Sequence, residues 1–495
     1  MQENSKLQNE DNNNGNQKGG GTTAGLKLNV KTIAGVCVLL AIIMAVAGVL
    51  TQVVPRGIYD TDAEGMIIDG TYHAIDYTMP IWKIIASPIL VFGSENIMTG
   101  IAIVLFIVLL GGTFLILDEC NVLKYVMSFI IKKFSDKKYR LMCVMIFVFM
   151  ALSSIAGILE ETVTIVPLAV AIALALGWDS LVGIMMSFGA VAFGFAAATF
   201  NPFNVVTVQK LAGIKVFSGL SMRLVMFALS YLLLISFVMI YAKKIEKNPE
   251  KSVCYETDKE QRAKYRLDNV DEVLADGGIK KASLTFFAFM AGALVCVALD
   301  FIFDLSGYLS MGGMAILFTL GGLFAGHVAG MSGKELAKGF GRGIKTIAPA
   351  LPLILFILCI TYILQEGKIV DTILFKLYGL LDGVTPYRAI LLIFVFVALL
   401  EFFIGSGTAK AFLIMPIVAP LAQLVGITGN TLVMSYCMAD GFTNMLYPTS
   451  GLIIIAIGLV NISYGKWLKF SWKLFALQIL LSVALMHFAI FTGYR

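Results

Sequence analysis

The amino-acid sequence predicts an all-α, multi-pass membrane protein made of two inverted-topology repeats, each with a re-entrant helical hairpin and a broken helix. Three observations predict it. Of the 495 residues, 58% are apolar and only 14% charged, a balance outside the soluble globular class. Many apolar windows reach the roughly 20 residues that a helix needs to cross about 30 Å of hydrocarbon. Two long stretches of the chain also repeat one another, with prolines and glycines where a helix would break.

The tail, residues 1–31, contains "NEDNNNGNQKGGG" and is expected to be disordered, since so polar a run cannot bury a core. The apolar run from Ile33 to Val54 is longer than a signal-peptide core and lacks a small-residue cleavage site, so it is expected to remain as the first span. Further span candidates are 97–117, 220–241, 284–299, 311–328, 347–364 and 474–491. The first repeat is placed at 32–243, with a hairpin at 139–177 and a broken helix at 181–213. A charged segment at 244–281 is expected to be a solvated cytoplasmic linker, followed by a linking span at 282–304. The second repeat is placed at 305–495, with a hairpin at 387–426 and a broken helix at 430–460.

Lys and Arg set the orientation. With neither hairpin crossing, 27 of them fall on one side and 9 on the other, leaving only Lys410 inside an apolar region. This bias predicts a cytoplasmic N-terminus and an outside C-terminus in the cell membrane. The formal charge of +5 then reflects topology, and no nucleic-acid partner is expected.

The repeat is visible in "YRLMCVMIFVFMALSSIAGILEETVTIVPLAVAIALALG" (139–177) laid over "YRAILLIFVFVALLEFFIGSGTAKAFLIMPIVAPLAQLVG" (387–426), which share YR, IFVF, AL, a central Gly, a Pro and the closing Gly. Downstream, "FNPFN" (200–204) matches "LYPTS" (446–450), and each interrupts an apolar run with a proline that removes a backbone donor and displaces its predecessor from helical geometry. The single extra span at 284–299 turns the second unit upside down. Inverted repeats with paired discontinuous helices are the architecture of secondary transporters, with substrate bound at the breaks.

Where hairpin tips face broken helices, free N–H groups suit anions and free carbonyls suit cations. Two clusters of candidate substrate- or ion-binding residues follow. The first holds Glu160, Glu161, Thr162, Thr164, Asn201 and Asn204; the second holds Ser406, Thr408, Lys410, Asp440, Asn444, Thr449 and Ser450. An ionisable group at membrane depth costs at least a few kcal/mol and should be paired or functional. Adjacent Glu160 and Glu161 cannot both face one way, so at most one is expected to point at the ligand. Local amides or Lys410 are candidate partners for the other, and Lys410 is also a candidate partner for Glu401. Asp440 is expected to serve as a ligand or coupling-ion group, or as a cap. The asparagines and hydroxyls suit backbone capping as well as binding.

Seven cysteines without a CxxC pair, and three scattered histidines of which only His73 has a carboxylate at i+3 (Asp76), argue against a histidine-based metal site. No cofactor is expected beyond a coupling Na⁺ or H⁺. GxSxG, HExxH and the YD/GxGD aspartate pair are all missing, so an enzyme such as an intramembrane hydrolase is not expected. A channel would not need inverted breaks.

The stretches "GILEETVTIVPLAVAIALALG", "FGFAAATFNPFNVVTVQKLAGI" and "MADGFTNMLYPTSGLIIIAIGL" resemble the DcuC/YfcC-type carriers, the C4-dicarboxylate anaerobic carrier-like family of the ion transporter superfamily, from about Ile33 to the C-terminus. That resemblance implies a scaffold with a moving transport domain (elevator-type access), a small-molecule substrate, and a homodimer in the bilayer. It also implies either C4-dicarboxylates or, as in the related antiporters, exchange of arginine and ornithine. Three carboxylates would repel a dicarboxylate, so a basic amino acid is the expected substrate. A Na⁺- or H⁺-coupled carrier of a C4-dicarboxylate or short peptide is the alternative.

Overall fold

Backbone polar groups have no water to bond in hydrocarbon, so apolar runs must close their hydrogen bonds internally, and this chain does so almost wholly as helix. The structure, a computed structural model, describes residues 30–60, 68, 70–94, 97–264, 270–303, 308–348, 351–381 and 383–494. The tail expected to be disordered lies outside the described residues as far as position 29. Among the described residues the sheet is a two-stranded antiparallel pair, Gly57–Ile58 with His73–Ala74.

The helices run α1 (Val30–Val53), α2 (Ile97–Glu119), α3 (Val122–Phe134), α4 (Lys138–Ala156) and α5 (Val166–Ala175). Next come α6 (Ser180–Ala196), which carries a π turn at Met185–Gly189, and α7 (Thr207–Leu211), entered through a π turn at Pro202–Val206. The central helices are α8 (Leu220–Lys247), α9 (Tyr255–Lys264), α10 (Val270–Ala275), α11 (Gly277–Phe303), α12 (Tyr308–Val328) and α13 (Gly333–Ile347). The chain closes with α14 (Leu351–Glu366), α15 (Val370–Leu381), α16 (Pro386–Glu401), α17 (Gly407–Leu424), α18 (Gly429–Thr443), α19 (Gly451–Leu459) and α20 (Tyr464–Phe491).

Among the described residues, four helical stretches are long and apolar enough to cross a membrane: Lys138–Ala156, Leu220–Lys247, Gly277–Cys296 and Tyr464–Phe491. A fifth is counted if α17, bent by 55° between Met415 and Val418, is one span. The bend falls at the sequence position of Pro416, where an i−4 hydrogen bond is lost. The chain is thus a multi-pass, all-α membrane protein. By length alone α4 could span, although the sequence places it as one limb of a hairpin; its following limb α5, at 10 residues, covers about 15 Å.

Helices α4, α6 and α8 pack together, as do α16, α18 and α20. The two groups meet where α6 crosses α18 and α8 lies against α20. At the first crossing a Cβ on Gly441 would strike the backbone of Ala196 and stand 2.7 Å from its Cβ, so glycine is what lets these helices touch. The ends are exchanged between groups: α7 packs on α17, and α19 packs on α5 and on the turn before it. Helices α11 and α12 pair with each other, α12 and α13 cover α2, and α14 lies on α1.

The charged linker is docked at both ends, in contrast to a free solvated connector. Asp258 is buried and accepts from the Ser180 N–H (2.8 Å) and Oγ (2.7 Å), so the linker helix α9 caps the start of α6. Asp179 accepts from Tyr241 Oη and Ser252 Oγ, each at 2.6 Å, and α9 packs on α5. Its far end, α10, packs on α3 and α11. Residues 265–269 between them lie outside the described part.

Candidate functional site

The first break is built around Ser154. Helix α4 ends at Gly157, whose φ of +74° suits glycine and where a Cβ would stand 2.6 Å from Asn201 Oδ1. One turn earlier, the Ser154 carbonyl accepts from the N–H groups of Thr199, Phe200 and Asn201 at 2.9, 3.1 and 3.2 Å. Its hydroxyl donates to Ala197 O (2.9 Å) and accepts from Thr199 N–H (3.0 Å). The backbone freed between α6 and Pro202 is therefore satisfied by the end of α4, as buried peptide groups require. Asn204 donates from Nδ2 to Phe195 O (3.0 Å), and Asn201 Oδ1 accepts from Phe203 N–H (2.9 Å). Asn201 Nδ2 is buried with no hydrogen-bond partner.

The second break is organised by charge. Glu401, Lys410 and Asp440 are 3%, 0% and 1% exposed. Lys410 Nζ donates to Glu401 Oε2, lies 2.7 Å from Asp440 Oδ1 and reaches the Ile404 carbonyl at 3.5 Å. Lys410 and Asp440 thus form a buried ion pair, and Asp440 Oδ2 and Glu401 Oε1 lack hydrogen-bond partners. Ser406 caps α17 by accepting from Ala409 N–H (3.3 Å). Tyr436 donates its hydroxyl to Gly407 O. Asn444 Nδ2 donates to Asp440 O (2.9 Å), and Ser450 Oγ reaches Asn444 Oδ1 at 3.5 Å.

The two breaks are joined. Thr408 Oγ1, at the tip of the second hairpin, donates to Phe203 O of the first break at 2.9 Å. Helix α19 packs on the 3₁₀ turn Glu160–Thr164. Glu160 itself is exposed, on the turn that α19 packs against. Among the described residues it has no Lys or Arg in ion-pair range. Thr162 Oγ1 and Thr449 Oγ1 are buried without hydrogen-bond partners. The side chains of Glu161 and Thr164 lie outside what the structure describes.

The expected residues thus divide. Asn204, Ser406, Asn444 and Ser450 bond within their own breaks, Thr408 bridges the halves, and Lys410 and Asp440 neutralise one another beside Glu401. Glu160, Thr162, Thr449 and the Asn201 amide keep unused polar groups. Sequence reasoning missed Ser154, Thr199 and Tyr436, which hold the breaks in place; a serine one turn before a hairpin glycine is the slight signal that could have found the first. Among the described residues no group of three or more His, Cys, Asp or Glu could hold a metal ion.

Comparison with known proteins supplies the family. The model of the DcuC family, C4-dicarboxylate anaerobic carriers, matches residues 33–491. YfcC of Escherichia coli (strain K12), provisionally named a basic amino acid antiporter, is 28% identical over 406 residues, or 80% of this chain and 79% of that protein. An uncharacterized protein of Haemophilus influenzae is 27% identical over 401 residues, covering 79% of this chain and 76% of its own. Among solved structures, Neisseria gonorrhoeae MtrF, from a class of antimetabolite efflux pumps, aligns at TM-score 0.43 and 17% identity over 92% of this chain and 96% of that one. The Alcanivorax borkumensis YdaH transporter aligns at 0.42 and 17% over 94% and 98%. Both scores are too low to establish a shared fold.

Proposed function

The chain belongs to the DcuC family of C4-dicarboxylate anaerobic carriers, and on that premise we propose that it exchanges a basic amino acid of the arginine/ornithine type across the cell membrane. That it is a membrane transporter follows from the family; the substrate and the exchange are our reading. One observation carries it. Among the described side chains at the two breaks, Glu160 is an exposed carboxylate without a Lys or Arg partner, while Asp440 and Glu401 share Lys410. A cationic side chain placed near Glu160 would find an opposite charge at low dielectric, whereas a second carboxylate would meet repulsion. The free Asn201 amide and the Thr162 and Thr449 hydroxyls would take the α-carboxylate. The name of YfcC, a relative covering most of the chain, agrees with this choice.

The architecture we propose is two inverted repeats (32–243 and 305–495) whose hairpins and broken helices move as one body past a scaffold. The exchanged packing of α7 on α17 and α19 on α5 supports a two-fold relation between the halves. Our reading is of a carrier with no cofactor, working as a homodimer with the N-terminus cytoplasmic and the C-terminus outside.

A second reading follows from the same unpaired donors: a dicarboxylate or short peptide, taken up with Na⁺ or H⁺ that neutralises Glu160. Uptake into proteoliposomes preloaded with ornithine, arginine, succinate or nothing separates the two. Stimulation of arginine uptake by internal ornithine supports exchange of basic amino acids. Succinate uptake that needs a Na⁺ or proton gradient, without arginine transport, would replace that reading with the second.

A further inference from the structure

Resting on the carrier reading above, we propose that Lys410 is a tethered cation standing where a coupling Na⁺ would otherwise sit in the second half, so that the native protein binds no Na⁺ between Glu401 and Asp440. Around Lys410 Nζ lie a carboxylate oxygen of Glu401, a carboxylate oxygen of Asp440 at 2.7 Å and the Ile404 carbonyl at 3.5 Å. Carboxylates plus a carbonyl from a non-helical turn are the oxygen donors that hard cations take. Two further carboxylate oxygens in the same place, Glu401 Oε1 and Asp440 Oδ2, are buried without hydrogen-bond partners. The pocket therefore holds more acceptor capacity than one ammonium consumes.

Position argues the same way. Lys410 sits in the first turn of α17, where the helix dipole disfavours a cation. Its charge is held there by the two carboxylates against that field, which a lysine serving only the helix would not need. In the repeat, the positions 248 and 249 residues earlier are Thr162 and Glu161, so the first half has no such lysine. The result is a division of labour. The second half carries its own cation on a flexible stem, and the first half leaves Glu160 to a cation from solution.

Removing the lysine leaves two buried carboxylates that a small cation can neutralise, and binding to the folded state alone raises stability. The test is the Tm of purified full-length protein in NaCl against choline chloride at equal ionic strength. Lys410→Ala is expected to gain a Na⁺-specific rise of about 2 °C or more, which Lys410→Ala/Glu401→Gln loses. A folded Lys410→Ala with the same Tm in both salts overturns the proposal. If that variant does not fold, native protein and Glu401→Gln decide: an equal response to Na⁺ in both supports the proposal, and a Na⁺ stabilisation of native protein that Glu401→Gln removes overturns it. The readout needs no substrate, so it stands or falls apart from the uptake assay.

Discussion

Thr408 in the first turn of α17 donates a 2.9 Å hydrogen bond to the carbonyl of Phe203, and this bond ties the second hairpin to the first broken helix across 205 residues of chain. Thr408→Val keeps the shape but removes the donor. A loss of about 1 kcal/mol in stability is expected, and Thr408→Ser should recover most of it. Thermal unfolding of the three proteins in one detergent checks this.

Lys410 serves two acids, so the members of the triad are not equivalent. Lys410→Met strands two buried carboxylates and should cost about 3–5 kcal/mol, whereas Glu401→Gln leaves a one-to-one pair with Asp440 and should cost less. The order of their Tm values tests the arrangement. A Glu401→Gln protein less stable than Lys410→Met would contradict it.

Ser154→Ala takes away the hydroxyl that serves Ala197 and Thr199 while leaving the carbonyl in place. The Ala197 carbonyl loses this donor while the Thr199 N–H keeps its bond to the Ser154 carbonyl, so a cost of about 1 kcal/mol is predicted. Hydrogen exchange should quicken locally at 197–201, with α12 and α13 unchanged.

Gly441→Leu should prevent α6 and α18 from crossing, because a Cβ there meets the Ala196 backbone. Monodisperse protein should be lost on size-exclusion chromatography. Gly341→Ala, at a position open for 4 Å around its Cβ, is the matched neutral control.

Part of this was legible in the sequence because proline and glycine act locally. The breaks before Pro202 and Pro448 follow from a missing donor, and Gly157 from a left-handed turn. The pairing of Glu401 with Lys410 was open to view because nine residues around a hairpin tip bring charges of opposite sign together. The place of Asp440 beside the same lysine was not, since it depends on how α18 packs on α17, which no local rule sets. The same holds for Asp258, whose charged surroundings read as solvated but which is buried against Ser180. Nor does the spacing of Ser154 and Thr199 announce that one would satisfy the other.

The central claim is that Glu160 is the open carboxylate of the substrate site, and equilibrium binding of ornithine to purified Glu160→Gln, by isothermal titration calorimetry, tests it most directly. Having no Lys or Arg partner among the described residues to strand, Glu160→Gln should keep the native Tm yet bind at least about tenfold more weakly, the loss of one charge-assisted contact. Native affinity in a folded Glu160→Gln would contradict the account.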